Sequence, residues 1–221
     1  MLVRQSEDPG ELGILCLRSL LNFWGQLDAA DRERVTERLE RHPETRFSDR
    51  LKLLSRQRQG GLEKEAVLKR ARERFAREQA QAEDGGLAAL QELVVWLNQE
   101  GFSEEALEVL EAAPTDTDAT LFMSRQVALI KTGRSEEAFQ ENLLENPLPE
   151  GRKLVLRAMA LDRMGEAERV EETLQLAIQV FDPEEIAFLE TVLRQAGRRD
   201  LLVRMFEGLE STIGNPLPAR L

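Results

Sequence analysis

Apolar residues stand along this chain in stripes three and four positions apart, with charged side chains between them, and the strict alternation of a strand is nearly absent. That spacing gives a helix one apolar face and leaves the other face in water. A longer period is superposed on it. Gly101, Gly133, Gly165 and Gly197 follow one another at intervals of 32 residues, each with a leucine four places earlier, at Leu97, Leu129, Leu161 and Leu193. A fixed period of this length marks stacked supersecondary units. Read in phase, LNQEGFSEEALEVL, LIKTGRSEEAFQEN, LDRMGEAERVEETL and LRQAGRRDLLVRMF are each a helix, a glycine turn and a second helix. The phase predicts first helices at 87–100, 119–132, 151–164 and 183–196.

Start and stop signals agree with this phase. Ser103 and Ser135 are expected to cap the second helices, with Glu104, Glu105, Glu136 and Glu137 in their first turns, where the positive end of the helix dipole favours anions. Asp182-Pro183-Glu184-Glu185 supplies a cap, a proline at the first helical position and a glutamate three residues after the cap. The repeated glycines suit the left-handed residue that ends a helix. Ala113-Pro114, Asn146-Pro-Leu-Pro149 and Asp182-Pro183 separate one unit from the next, because proline cannot continue the helix before it.

The N-terminal part repeats the plan less regularly. Leu21 and Gly25 reproduce the leucine-to-glycine spacing, Asp28 caps a helix that runs to about Arg41, and His42-Pro43 ends it. A further helix at about 48–57, a turn at Gly60-Gly61 and a long charged helix at 62–81 follow. The sequence thus reads as all-α, an α-solenoid of about six antiparallel helix hairpins: irregular hairpins at 1–84, four repeats at 85–213 and a tail at 214–221.

At the second helices, Gly101-Phe-Ser-Glu-Glu-Ala106 and Gly133-Arg-Ser-Glu-Glu-Ala138 resemble the G-x-x-x-E-A stretch of tetratricopeptide repeats. The bulky apolar residues that this family places eleven and four positions before the glycine are here Leu90 and Leu97, Phe122 and Leu129, Leu154 and Leu161, Ile186 and Leu193. The sequence departs from the family in its period, which is usually about 34 residues. It also departs at Val170 and Leu202, which replace a small alanine, and at Gln126 and Glu190, which occupy another normally small place. The resemblance implies a superhelix whose concave groove is lined by the first helix of each unit. Its peptide-binding residues would be Met123, Val127, Ile130, Lys131, Val155, Met159, Arg163 and Arg194: an apolar floor with a basic edge able to hold a carboxylate. The asparagine by which chaperone-tail-binding members act, six places before the glycine, is absent.

Composition narrows the function further. The chain has 221 residues, 42% of them hydrophobic, enough for an ordered core. Its one cysteine, Cys16, can form no internal disulfide, and the apolar run around it is too short and too charged for a signal or membrane segment. A cytoplasmic setting is expected, with no membrane partner, whether the chain stands alone or is a piece of a longer polypeptide. Net charge is −11, unevenly spread. Between Arg46 and Arg77 eleven basic residues face four acidic ones, whereas between Glu83 and Ser124 there are ten acidic residues and no basic one. Blocks of opposite sign can steer a polar partner or pair molecules head to tail. A second route to self-association is an apolar face at Leu201, Met205, Phe206 and Leu209, left open where Asn215-Pro-Leu-Pro218 repeats the earlier linker.

Motifs for chemistry are missing: no cysteine cluster, no phosphate-binding loop, and a single histidine, His42, beside a proline at a helix end. No catalytic residue, metal ligand or cofactor is assigned. The leading expectation is a non-catalytic scaffold that binds a peptide or protein segment on its concave face. A nucleic-acid-binding repeat is the alternative, opposed by net acidity and by the absence of tyrosine for stacking. A regulatory arm of a multidomain protein is the third reading.

Overall fold

Ten α-helices account for nearly all regular structure in the computed structural model, which describes Ser6, residues 8–82 and 86–180, and Leu193, Asp200, Leu201, Val203, Arg204 and Glu207. Among these residues there is no strand. The helices are α1 (Glu11–Asn22), α2 (Ala29–Arg41), α3 (Phe47–Gln59), α4 (Lys64–Gln81), α5 (Leu87–Gln99), α6 (Ser103–Leu110), α7 (Ala119–Lys131), α8 (Ser135–Leu143), α9 (Glu150–Arg163) and α10 (Ala167–Val180). The chain divides into two compact units between Trp96 and Leu97, inside α5 rather than at the composition break near residue 84. Trp96 explains the first unit's claim on that helix: it is buried, and its Nε1 donates to Ser55 Oγ on α3 at 2.8 Å.

In the first unit α1, α2 and α3 each pack against the other two, and α4 packs against α3. Ile14, Leu17, Leu21 and Trp24 meet Val35, Leu39 and Leu53 in its core. Each such side chain contributes roughly 2 kcal/mol by leaving water. One polar link crosses this packing. Arg18 grips Asp49 with Nε and Nη2, both at 2.9 Å, while Asp49 Oδ2 also accepts the Arg46 backbone N–H at 3.0 Å. Asp28 caps α2 by accepting from Asp31 N at 2.8 Å, as its sequence position predicts. Gly25 departs from expectation. It lies in a 3-10 turn, Trp24–Gln26, and lacks the left-handed backbone that Gly101, Gly133 and Gly165 share.

In the second unit each helix from α6 to α10 packs against its chain neighbour, and α7 also packs against α9. The three-way packing of α7, α8 and α9 therefore repeats that of α1, α2 and α3. Beyond α10, Leu193 and Leu201 are buried. Met205, Phe206 and Leu209 of the expected open face, like the helix expected at 183–196 apart from Leu193, lie outside the described residues.

The 32-residue phase has a local cause. Gly101, Gly133 and Gly165 hold φ of +80°, +82° and +82°, a region costly for any residue with a Cβ. The next residue donates its N–H back to the phased leucine: Phe102 to Leu97 O at 2.8 Å, Arg134 to Leu129 O at 2.8 Å, Glu166 to Leu161 O at 3.0 Å. This is the Schellman closure of a helix. The same residue then opens the following helix, its carbonyl accepting from Ala106, Ala138 and Val170 respectively. Ser103 and Ser135 consequently come one position too late to cap. They are the first helical residues, both buried, and α6 and α8 have no side-chain cap bond. A fourth copy of the closure stands at Gly61, where φ is +102° and Leu62 N donates to Gln57 O at 3.0 Å.

Candidate functional site

The expected binding residues part company in the structure. Ile130 and Lys131, from the end of α7, meet Arg163 and Met164 from the end of α9 around a shallow hollow of about 350 Å³, with Gly133, Ser135 and Glu136 on its remaining wall. Met123 and Val127 are half-buried on α7, two turns and one turn before Ile130. Val155 and Met159 are only 1% and 2% exposed, and this corrects their assignment as an apolar floor. The reason is the packing of α9, which has α7, α8 and α10 against it and turns those side chains into the core. Arg194 lies outside the described residues.

Lys131 is the most constrained member of the set. Its Nζ donates to the Asn98 carbonyl, at the C-terminal end of α5, at 2.7 Å, where a cation suits the negative end of the helix dipole. Burial lowers its pKa below the ordinary lysine value. Asn98 is itself buried and donates Nδ2 to Ser124 O at 2.9 Å. Arg163 is exposed, with no carboxylate in ion-pair range among the described residues. The hollow thus offers two cations beside Ile130 and Met164, tempered by the carboxylate of Glu136. It suits an anionic group flanked by apolar atoms.

Behind this edge lies a polar clamp that sequence reasoning missed. Arg125 on α7 holds Glu141 on α8 through Nε at 3.0 Å and Nη2 at 2.7 Å, and the buried Gln126 donates Nε2 to the same carboxylate at 3.1 Å. From the other side, Arg157 on α9 donates Nε to Asn142 Oδ1 at 2.7 Å and Nη2 to Asn142 O at 3.2 Å. Gln126 in a normally small place is thereby satisfied. The one available signal was that Arg125 and Arg157 share the position eight before the glycine.

His42 is engaged in the backbone. Its Nδ1 accepts from Glu44 N at 3.2 Å and its Nε2 donates to Asp8 O at 3.3 Å, an arrangement of the neutral ring. Among the described residues no group of three or more His, Cys, Asp or Glu is placed to hold a metal ion. No helix of the described residues is long and apolar enough to cross a membrane. Within the basic segment, Arg50 and Arg74 are turned to internal pairs with Glu78 and Glu40, leaving Lys69, Arg70 and Arg77 exposed on α4. No family model, no curated protein and no solved structure matches the chain.

Proposed function

We propose that the chain is a non-catalytic interaction module: a tetratricopeptide-like α-solenoid, about six hairpins long, that binds a peptide or protein segment along the face carrying Met123, Val127, Ile130, Lys131 and Arg163. The observation that carries this reading is the recurrence of one closure, with the same leucine carbonyl and left-handed glycine, at Gly101, Gly133 and Gly165. The shared three-way packing of α1–α3 and α7–α9 supports it. Repeats that cannot bury their apolar faces alone stack on their neighbours, and such stacks serve as binding surfaces.

The bound segment carries an acidic group beside apolar side chains. Half-buried Met123 and Val127 supply adaptable apolar contact, and Lys131 and Arg163 orient the anion. A cytoplasmic setting, as part of a larger assembly, accompanies this reading; the buried Cys16, which is in no disulfide, is compatible with it. The test is fluorescence polarisation with a panel of labelled peptides that pair one acidic residue with apolar neighbours. The variant Arg163→Glu is expected to weaken saturable binding and to alter its salt dependence without unfolding the chain, since Arg163 is exposed and an exposed charge contributes little to stability. Equal binding by wild type and variant contradicts the reading. The exposed cations of α4 favour nucleic acid as the second candidate, and strongly salt-dependent retardation of mixed RNA or DNA would transfer the proposal to it.

A further inference from the structure

A second hollow, of about 390 Å³, lies wholly in the first unit, where the end of α3 and the start of α4 approach Trp24. Its wall is rich in donors. Trp24 is 7% exposed, and its indole Nε1–H is buried with no acceptor among the described residues. Buried donors left unpaired are rare, and each calls for an explanation. The place a Cβ would take on Gly60 is 4.0 Å from Nε1, which puts the unpaired N–H at the glycine wall of the hollow. Arg32 is held there by its Nε on the Trp24 carbonyl at 3.2 Å, with its guanidinium carbon 6.0 Å from the indole centroid. Among the described residues Arg70 has only a neutral acceptor, Gln57 Oε1, at 3.2 Å from its Nη1.

The absence of a carboxylate here is not a matter of supply. The chain carries 41 acidic residues against 30 basic ones, and Arg18, Arg34, Arg50 and Arg74 of the same unit each hold an aspartate or glutamate. Among the described residues Arg32 and Arg70 do not, and no acidic side chain of these residues lines the hollow. Beside the donors stand the indole itself and the half-buried Leu62, an apolar wall.

We propose that this hollow binds an oxyanion group, carboxylate or phosphate, borne on a small apolar body. The anion takes the place of Gln57 on Arg70, accepts from Arg32, and supplies the acceptor that Trp24 Nε1 lacks; the apolar body lies against Trp24 and Leu62. Two guanidinium groups favour an oxyanion because their paired N–H donors match its oxygens. The site is independent of the peptide-binding reading and shares no residue with it.

The experiment follows the indole N–H signals in proton–nitrogen correlation spectra. There are two tryptophans, and Trp96, already bonded to Ser55, is the internal reference. The probes are inorganic phosphate, phenyl phosphate, acetate and phenylacetate at constant ionic strength. Phenyl phosphate or phenylacetate is expected to move the Trp24 signal downfield to saturation while Trp96 stays, and the responding pair tells phosphate from carboxylate. Arg32→Gln with Arg70→Gln should weaken binding by about tenfold or more, the scale of a lost charge-assisted contact. Arg70→Gln alone, at an exposed position, serves if the double variant does not fold. A Trp24 signal that ignores all four probes, or moves equally in the variants, overturns the proposal. Arg163→Glu leaves this titration unchanged, so its failure and that of the peptide site are separable.

Discussion

Gly133 holds φ of +82° with no atom within 4 Å of where a Cβ would stand, so replacing it brings backbone strain and no collision. Gly133→Ala is expected to cost about 1 kcal/mol, and Gly133→Asn less, because asparagine tolerates the left-handed region. Urea unfolding measures both. Gly86 provides the contrast: its added Cβ would lie 2.9 Å from Gln79 Cα, so Gly86→Ala should cost clearly more. Lys131 makes a second prediction at this scale. Burial lowers its pKa in the folded state, so as pH climbs toward 10.5 the folded chain releases this proton first while the unfolded chain still holds it. Stability should therefore rise with pH in the interval just below 10.5, and the rise should vanish in Lys131→Met. A wild-type and variant stability difference that stays flat across that interval would refute the assignment. With no tyrosine in the chain, no phenol titration overlies the effect.

Helix α8 is held from both sides, by Arg125 of α7 on Glu141 and by Arg157 of α9 on Asn142. Glu141→Ala removes the acceptor of Arg125 and of the buried Gln126 together, and should cost about 2 kcal/mol, the scale of a lost charge-assisted hydrogen bond at a half-buried site. Adding Arg125→Ala and Gln126→Ala should recover part of that loss; simple additivity of the three changes would argue against a shared network. The helices around this clamp were legible in the sequence because each feature that marks them is local. A leucine four places before a glycine is a carbonyl and the turn that caps it, five peptide bonds end to end. The cap at Ser103 was misread for a related reason: Phe102 both closes one helix and opens the next, leaving the serine no role in capping. The clamp itself was not legible, since Glu141 lies 16 residues from Arg125 and only packing selects that carboxylate from its many neighbours.

For the whole chain, the sequence pattern anticipated an all-helical molecule, and that is what the described residues contain. The binding residues were less legible. Their positions came from a family pattern that cannot tell which side of α9 is covered: α7, α8 and α10 pack on that helix, and Val155 and Met159 are buried, while Ile130, Lys131 and Arg163 remain together at an edge. The hollow at Trp24 gave no sequence signal, because Trp24, Arg32 and Arg70 belong to separate helices or turns and no motif joins them. The central claim is the stacking of hairpins in chain order. Glu104, Glu136, Glu168 and Asp200 occupy one position, three after the glycine, in the four units, and all are exposed. Spin labels on cysteines at Glu104 and, in turn, at Glu136, Glu168 and Asp200, with the buried Cys16 replaced by serine, report their separations by pulsed dipolar spectroscopy. Stacked hairpins predict distances that lengthen at each step by about 10 Å, the spacing of packed helices. A separation from Glu104 to Asp200 no longer than that from Glu104 to Glu136 would mean a closed bundle and would contradict the solenoid.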